Sequence, residues 1–205
     1  MKFVVFDLKT TPKTTPNMAE IIAISAIKMT AGRWYMYDRQ PFETFVQCKS
    51  PLPGWGKDAD LEQAPSQADA LLNFSRFVGD ACLIADAGPV FKMPFIHQAC
   101  AGPGQATREV RVLDSTDLAR MLWPDAVFQR LDDFANRLKL PSVLKEDGMP
   151  QLSRNVERLV EAVDQMRCRL SPRLMVWPVG SCMGLLPALD DDPSIKARGS
   201  SPWLF

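Results

Sequence analysis

The chain has 205 residues, 46% hydrophobic and 23% charged, with Lys+Arg 24 against Asp+Glu 24. That length and apolar content suit one globular domain with a buried core and exclude a disordered or fibrous chain. Zero formal charge excludes bulk electrostatics as the route to nucleic acid or an anionic membrane, so any binding surface must be local.

Residues 2 to 8 (KFVVFDL) form a β-branched and aromatic run, read as a buried strand with Asp7 near its carboxyl end. The stretch from Glu20 to Met29 reads as a second strand, Ala31 and Gly32 as a turn, and RWYMYD with ETFVQC as the third part of an antiparallel meander. Residues 50 to 65 hold five prolines and glycines and read as loop, whereas Ser66 to Phe77 has apolar residues at helical spacing behind a serine able to cap them. ACLIADA (81–87) and VRVLD (110–114) read as further buried strands, with helices over 91–100, 115–123, 128–138 and 153–168. Strands first, then strands alternating with helices, describe a mixed-sheet α/β domain over 1–169. From 170 onward Pro178, Gly180, Gly184 and Pro187 break the pattern, so 170–205 reads as a C-terminal extension packed on the domain or a flexible arm.

No apolar run approaches the roughly 20 residues of a membrane span, and MKFVVFD is too short and too acidic for a signal peptide, so the cytoplasm is the expected location. Cys48, Cys82, Cys100, Cys168 and Cys182 are odd in number and lack C-x-x-C spacing. They read as small core hydrophobes, not as a disulfide or zinc framework.

Four blocks occur in order: FDLKTTP with EIIAISAI, then APSQADALLNFSRFVGDACLIADAGPVFKMPFI, then VLDSTDLARMLWP, then LDDFANRLKLP. They resemble the DEDD 3′-to-5′ exonuclease superfamily, in particular its DEDDh branch of proofreading subunits and RNase T-like enzymes. There F-D-x-E-T-T-G leads into E-I-I-E-I-G-A-V, the middle block reads L-V-A-H-N-A-x-F-D-x-x-F-L, and a strand enters V-L-D-T-x-x-L-A-R. The resemblance covers residues 2 to 168. It implies an RNase H-like exonuclease fold, a mixed central sheet of about five strands flanked by helices.

The family's two-metal hydrolysis requires carboxylate oxygens to hold a pair of Mg²⁺ or Mn²⁺ ions. On the matching positions this chain keeps Asp7 but has Lys9 for the glutamate two residues on, Lys92 for the second-motif aspartate, Ser153 for the general-base histidine and Arg158 for the last acid. One acid and three bases leave these ligand positions at a net +2, where the family's four carboxylates give −4. A cavity of that sign repels divalent metal, so the implied domain is a pseudo-exonuclease with no resident metal. His97, the one histidine, falls in the helix after the second motif and reads as structural.

Three readings of these positions follow. Asp7, Lys9, Lys92 and Arg158 form an internal salt-bridge cluster, or the three cations clamp the phosphates of single-stranded DNA or RNA with Trp55 stacking on a base. In the third, Asp86, Asp114 and Glu157 serve as relocated ligands of a working nuclease using Mg²⁺ or Mn²⁺, although a one-residue shift on a helix turns Glu157 away by about 100°. Asp114 or Ser115 reads as the cap of the following helix. The tail SSPWLF, with Trp203, Leu204 and Phe205, resembles bacterial sliding-clamp ligands without their glutamine and reads first as packing into a groove. The expected partners are therefore nucleic acid, or a polymerase, a sliding clamp or a second copy of the chain, with no membrane contact.

Overall fold

The structure, a computed structural model, describes residues 2–11, 19–31, 36–48, 61–101, 106–128, 130–141, 148–169 and 182–189. Its sheet contains β1 (Lys2–Thr10), β2 (Ile21–Ala31), β3 (Met36–Phe45), β4 (Cys82–Ala85), β5 (Thr107–Asp114) and β6 (Cys182–Pro187) in the order β3-β2-β1-β4-β5-β6. β1, β2 and β3 form the antiparallel meander, β4 and β5 run parallel to β1, and β6 closes the edge antiparallel to β5. This is the mixed α/β sheet the sequence pattern implies, with six strands in place of about five. The additional strand comes from the stretch beyond 170.

The continuous apolar run of β1 follows from helices on both faces. Phe3 and Val5 point to one side, toward α3 (Ser115–Leu122), α4 (Leu131–Ala135) and α5 (Met149–Arg169). Val4, Phe6 and Leu8 point to the other, toward α1 (Gln67–Val78) and α2 (Met93–Cys100). Alternation along the strand therefore puts Asp7 on the α5 side.

Helix boundaries follow local chemistry. Ser66 caps α1 by accepting the Asp69 N–H at 3.2 Å. α5 begins at Met149, earlier than the expected 153, because Pro150 is tolerated in a first turn. α4 is shorter than the expected 128–138, and Lys139 just beyond it adopts a left-handed φ of 59°. In place of a helix from 91, residues Gly88–Lys92 make a π-helical turn entered through Ala87 at φ 51°, and α2 follows it. The 50–60 part of the expected loop, Gly32 of the expected turn, Trp55, the side chain of Cys182, and Trp203, Leu204 and Phe205 lie outside the described residues.

Cys82 and Cys100 are core residues, and burial pushes both thiols up to about 11. Cys48 is half-buried and Cys168 is exposed. The core expectation is corrected at Cys168, which sits in the last turn of α5 off its buried stripe.

Candidate active site

Asp7 on β1, Asp86 one residue past β4 and Asp114 at the end of β5 lie at the carboxyl side of three parallel strands, where α/β sheets bind ligands. A cleft of about 140 Å³ opens there, lined by Asp7, Asp86, Lys92, Arg130, Leu131, Asp132, Asn155, Arg158 and Leu159. Of the sequence-derived site positions it brings together Asp7, Lys92 and Arg158, with Asp86 of the relocated-ligand candidates. Lys9 shares the strand face of Asp7 but does not line the cleft.

The ammonium of Lys92 sits 3.2 Å from Asp7 Oδ1 and also donates to the backbone carbonyl of Asp86. Lys92 is only 7% exposed. Asp7 Oδ1 accepts the Leu8 N–H at 2.9 Å, and Oδ2 lies 3.4 Å from the Asn155 amide nitrogen. Across the cleft Arg158 Nη1 pairs with Asp132 Oδ1, while its buried Nε finds no acceptor among the described residues. Asp86 Oδ1 accepts from the fully buried Ser115 hydroxyl at 3.3 Å. Burial raises the Asp86 carboxyl above its ordinary range, with Asp114 adding to the effect. Hydrogen bonding from the Leu131 backbone, the Lys92 ammonium and the Ser115 hydroxyl oppose it.

The cleft therefore holds three acids (Asp7, Asp86, Asp132) and three bases (Lys92, Arg130, Arg158), a neutral set. The four motif positions sum to +2, but the cleft does not take that sign, because Lys9 lies outside it and Asp86, Asp132 and Arg130 enter it. Ser153 is elsewhere: its hydroxyl donates to Glu43 Oε1, accepts from Ser25 at 3.4 Å and lies 3.0 Å from Met149 O. Ser153 and Asn155 flank the buried stripe of Leu152, Val156 and Leu159 on opposite sides of α5. Glu157 is exposed and absent from the cleft. Asp114 caps α3, accepting the Thr116 N–H at 2.9 Å and its hydroxyl at 2.7 Å. His97 Nε2 accepts the Leu185 N–H at 2.9 Å and so ties α2 to β6, away from the cleft.

Asn155, Arg130 and Asp132 are cleft residues that motif spacing did not mark. The π turn is a second feature that motif spacing did not mark. It carries the chain from Asp86, just past β4, to Lys92 through i→i−5 bonds from Lys92 N to Ala87 O and from Met93 N to Gly88 O.

A family model described as an exonuclease, RNase T, matches residues 4–144, more than half of the chain. The chain belongs to this exonuclease family. PolC-type DNA polymerase III of Halalkalibacterium halodurans is 29% identical over 148 residues, covering 69% of this chain and 10% of that protein. The same polymerase of Clostridium perfringens is 30% identical over 145 residues, covering 67% of the chain and 9% of that protein. The chain thus spans about a tenth of the length of these relatives.

Solved structures with this fold include a 3′-exonuclease recognising the 3′ end of a histone mRNA stem-loop, at TM-score 0.59 and 11% identity over 80% of each chain. Product-bound exonuclease I has TM-score 0.58 and 12% identity, covering 84% of this chain and 44% of that one. Both support a DEDD-type, RNase H-like exonuclease fold. Among the described residues no three His, Cys, Asp or Glu side chains converge as a ligand set. With an ammonium 3.2 Å from Asp7, the residues present do not fit a pair of divalent cations. No helix of the described residues is long and apolar enough to cross a membrane.

Proposed function

We propose that this exonuclease-family domain is catalytically inactive and works in the cytoplasm as a scaffold or binding module. One observation carries the reading. The carboxylate that would hold metal, Asp7, is paired with the buried ammonium of Lys92 at 3.2 Å. Metal entering there would meet a fixed positive charge in place of an acid, and at an effective dielectric of about 20 two unit charges 4 Å apart repel by roughly 4 kcal/mol. Of the relocated-ligand candidates, Asp86 alone lines the cleft; Asp114 caps a helix and Glu157 points to solvent.

A protein partner fits the surface better than a phosphate clamp at the old site. The cleft has no net charge, and Lys92 is too buried to reach a phosphate. Val90 and Phe91, 84% and 48% exposed, stand on the turn that carries Lys92. Likeness to a stretch of PolC-type polymerases supports a replication protein as the partner, with a sliding clamp or a second copy as the other candidates. The nucleic-acid reading rests on exposed Arg130 and the unbonded Nε of Arg158 at the cleft.

Digestion of 3′-labelled single-stranded DNA and RNA with Mg²⁺ and Mn²⁺, with binding recorded on the same samples across a salt series, tests the proposal. Shortening that a chelator stops would refute inactivity. Retention that weakens steeply with salt would favour the nucleic-acid reading, and neither would leave the protein scaffold.

A further inference from the structure

We propose that Lys92 is a built-in cation. The π turn delivers its ammonium to where it holds the carboxyl ends of β1 and β4 together, the structural work of a bound metal ion, and removing it would leave a site that accepts a divalent cation. The inference rests on the inactive reading above.

Placement is the first argument. The ammonium's two oxygen partners are Asp7 Oδ1 on β1 and the Asp86 carbonyl directly after β4. Lys92 thus bridges two neighbouring parallel strands just past the last pair between them, Val5 with Ile84. An ammonium has three donors and no acceptor, so oxygens converging on it form an all-acceptor cradle, which is also what a hard cation needs. The Asp86 side chain lines the same cleft, so a carboxylate and a carbonyl contact the positive charge and a second carboxylate stands in the same cavity.

Delivery is the second. Ala87 adopts φ 51° and the following π turn is pinned by the Ala87 and Gly88 carbonyls. A Cβ on Gly88 would lie 3.0 Å from the Ala85 Cβ, tighter than an ordinary contact, so glycine lets the turn pack closely on β4 without displacing it. The neighbours of Lys92 on the turn, Val90 and Phe91, face solvent. The turn thus spends a left-handed residue and a close glycine contact to send one side chain inward. Burial separates this role from phosphate binding: at 7% exposure, with protein oxygens as its partners, the ammonium is a strut and not a hand.

The test uses the full chain, Lys92→Ala and, should that variant fail to fold, Lys92→Gln. Wild type is expected to keep its melting temperature unchanged with Mn²⁺ or with chelator and to give no bound-Mn²⁺ paramagnetic resonance signal. Both variants are expected to melt lower, to recover with Mn²⁺ but not with NaCl of equal ionic strength, and to bind Mn²⁺ about a thousandfold or more tightly than wild type, the order expected when a unit charge about 4 Å away is removed. Bound Mn²⁺ in wild type would overturn the proposal, as would variants that neither lose stability nor gain from Mn²⁺. Digestion by wild type would refute inactivity and this proposal with it, whereas a wild type that neither digests nor binds Mn²⁺, beside variants that keep full stability, would overturn this proposal alone.

Discussion

Replacing Lys92 with methionine keeps most of the buried stem and removes the ammonium. Asp7, with its side chain 19% exposed, then retains only the Leu8 N–H at 2.9 Å and the long Asn155 contact at 3.4 Å. Two unit charges 3.2 Å apart attract by about 5 kcal/mol at an effective dielectric of about 20. Desolvation offsets much of that attraction, and removing one partner of a buried pair costs about 3–5 kcal/mol. Because Asp7 keeps some water contact, the lower end applies, about 3 kcal/mol, or a melting temperature lower by about 6–12 °C at this size. Asp7→Asn should destabilise as well, because an amide oxygen can still accept from the buried ammonium but no longer offsets its charge. The double variant should lie within about 1 kcal/mol of wild type, a coupling of about 2 kcal/mol or more. Urea denaturation of the four proteins at neutral pH measures it. Additivity within about 0.5 kcal/mol would refute the ion pair as the organising contact of the cleft.

Gly184→Ala would put a Cβ 2.6 Å from Met93 Cε and 2.8 Å from Val112 Cγ2. The methionine end can swing aside but the buried valine cannot, so a thermal melt should register a loss of about 1–3 kcal/mol; no loss would mean that β6 does not pack there. Burial holds His97 below its ordinary value, so the unfolded chain takes up the proton first. Its contribution is whole above about pH 6.5 and is lost as pH falls through the folded value. A His97→Gln variant should therefore lose less stability than wild type on acidification, read as melting temperature against pH; parallel curves would sink the idea. Asp114→Ala should cost about 1–2 kcal/mol by uncapping α3, and Asp114→Asn, which can still cap, much less, both by urea denaturation.

How much could be read beforehand differs from element to element for physical reasons. KFVVF and CLIA announce themselves because both faces of those strands are covered, so the run is apolar without interruption. β6 gives no such signal. CMGLLP lacks β-branched residues and carries a proline, tolerated at the last position of an edge strand, and a glycine chosen by the closeness of Met93 and Val112. The capping role of Asp114 was legible because it depends on residues two positions away. Arg158 with Asp132, 26 residues apart, and Asn155 with Asp7, 148 apart, depend on the fold.

The sign of the cleft was the hardest property to read, for a reason more general than distance. Counting substituted motif positions assumes that those positions and no others line the cavity. The π turn has no compositional mark, since it needs only a different hydrogen-bond partner. It brings Lys92 inward against Asp7, as the motif count expects, but Asp86, Arg130 and Asp132 face the same space. Lys9, two positions from Asp7, stays out. Charge in a cavity belongs to whatever lines it, so a basic former metal site on paper becomes a balanced network in three dimensions. That balance is why an internal cation explains the cleft better than a vacancy waiting for phosphate.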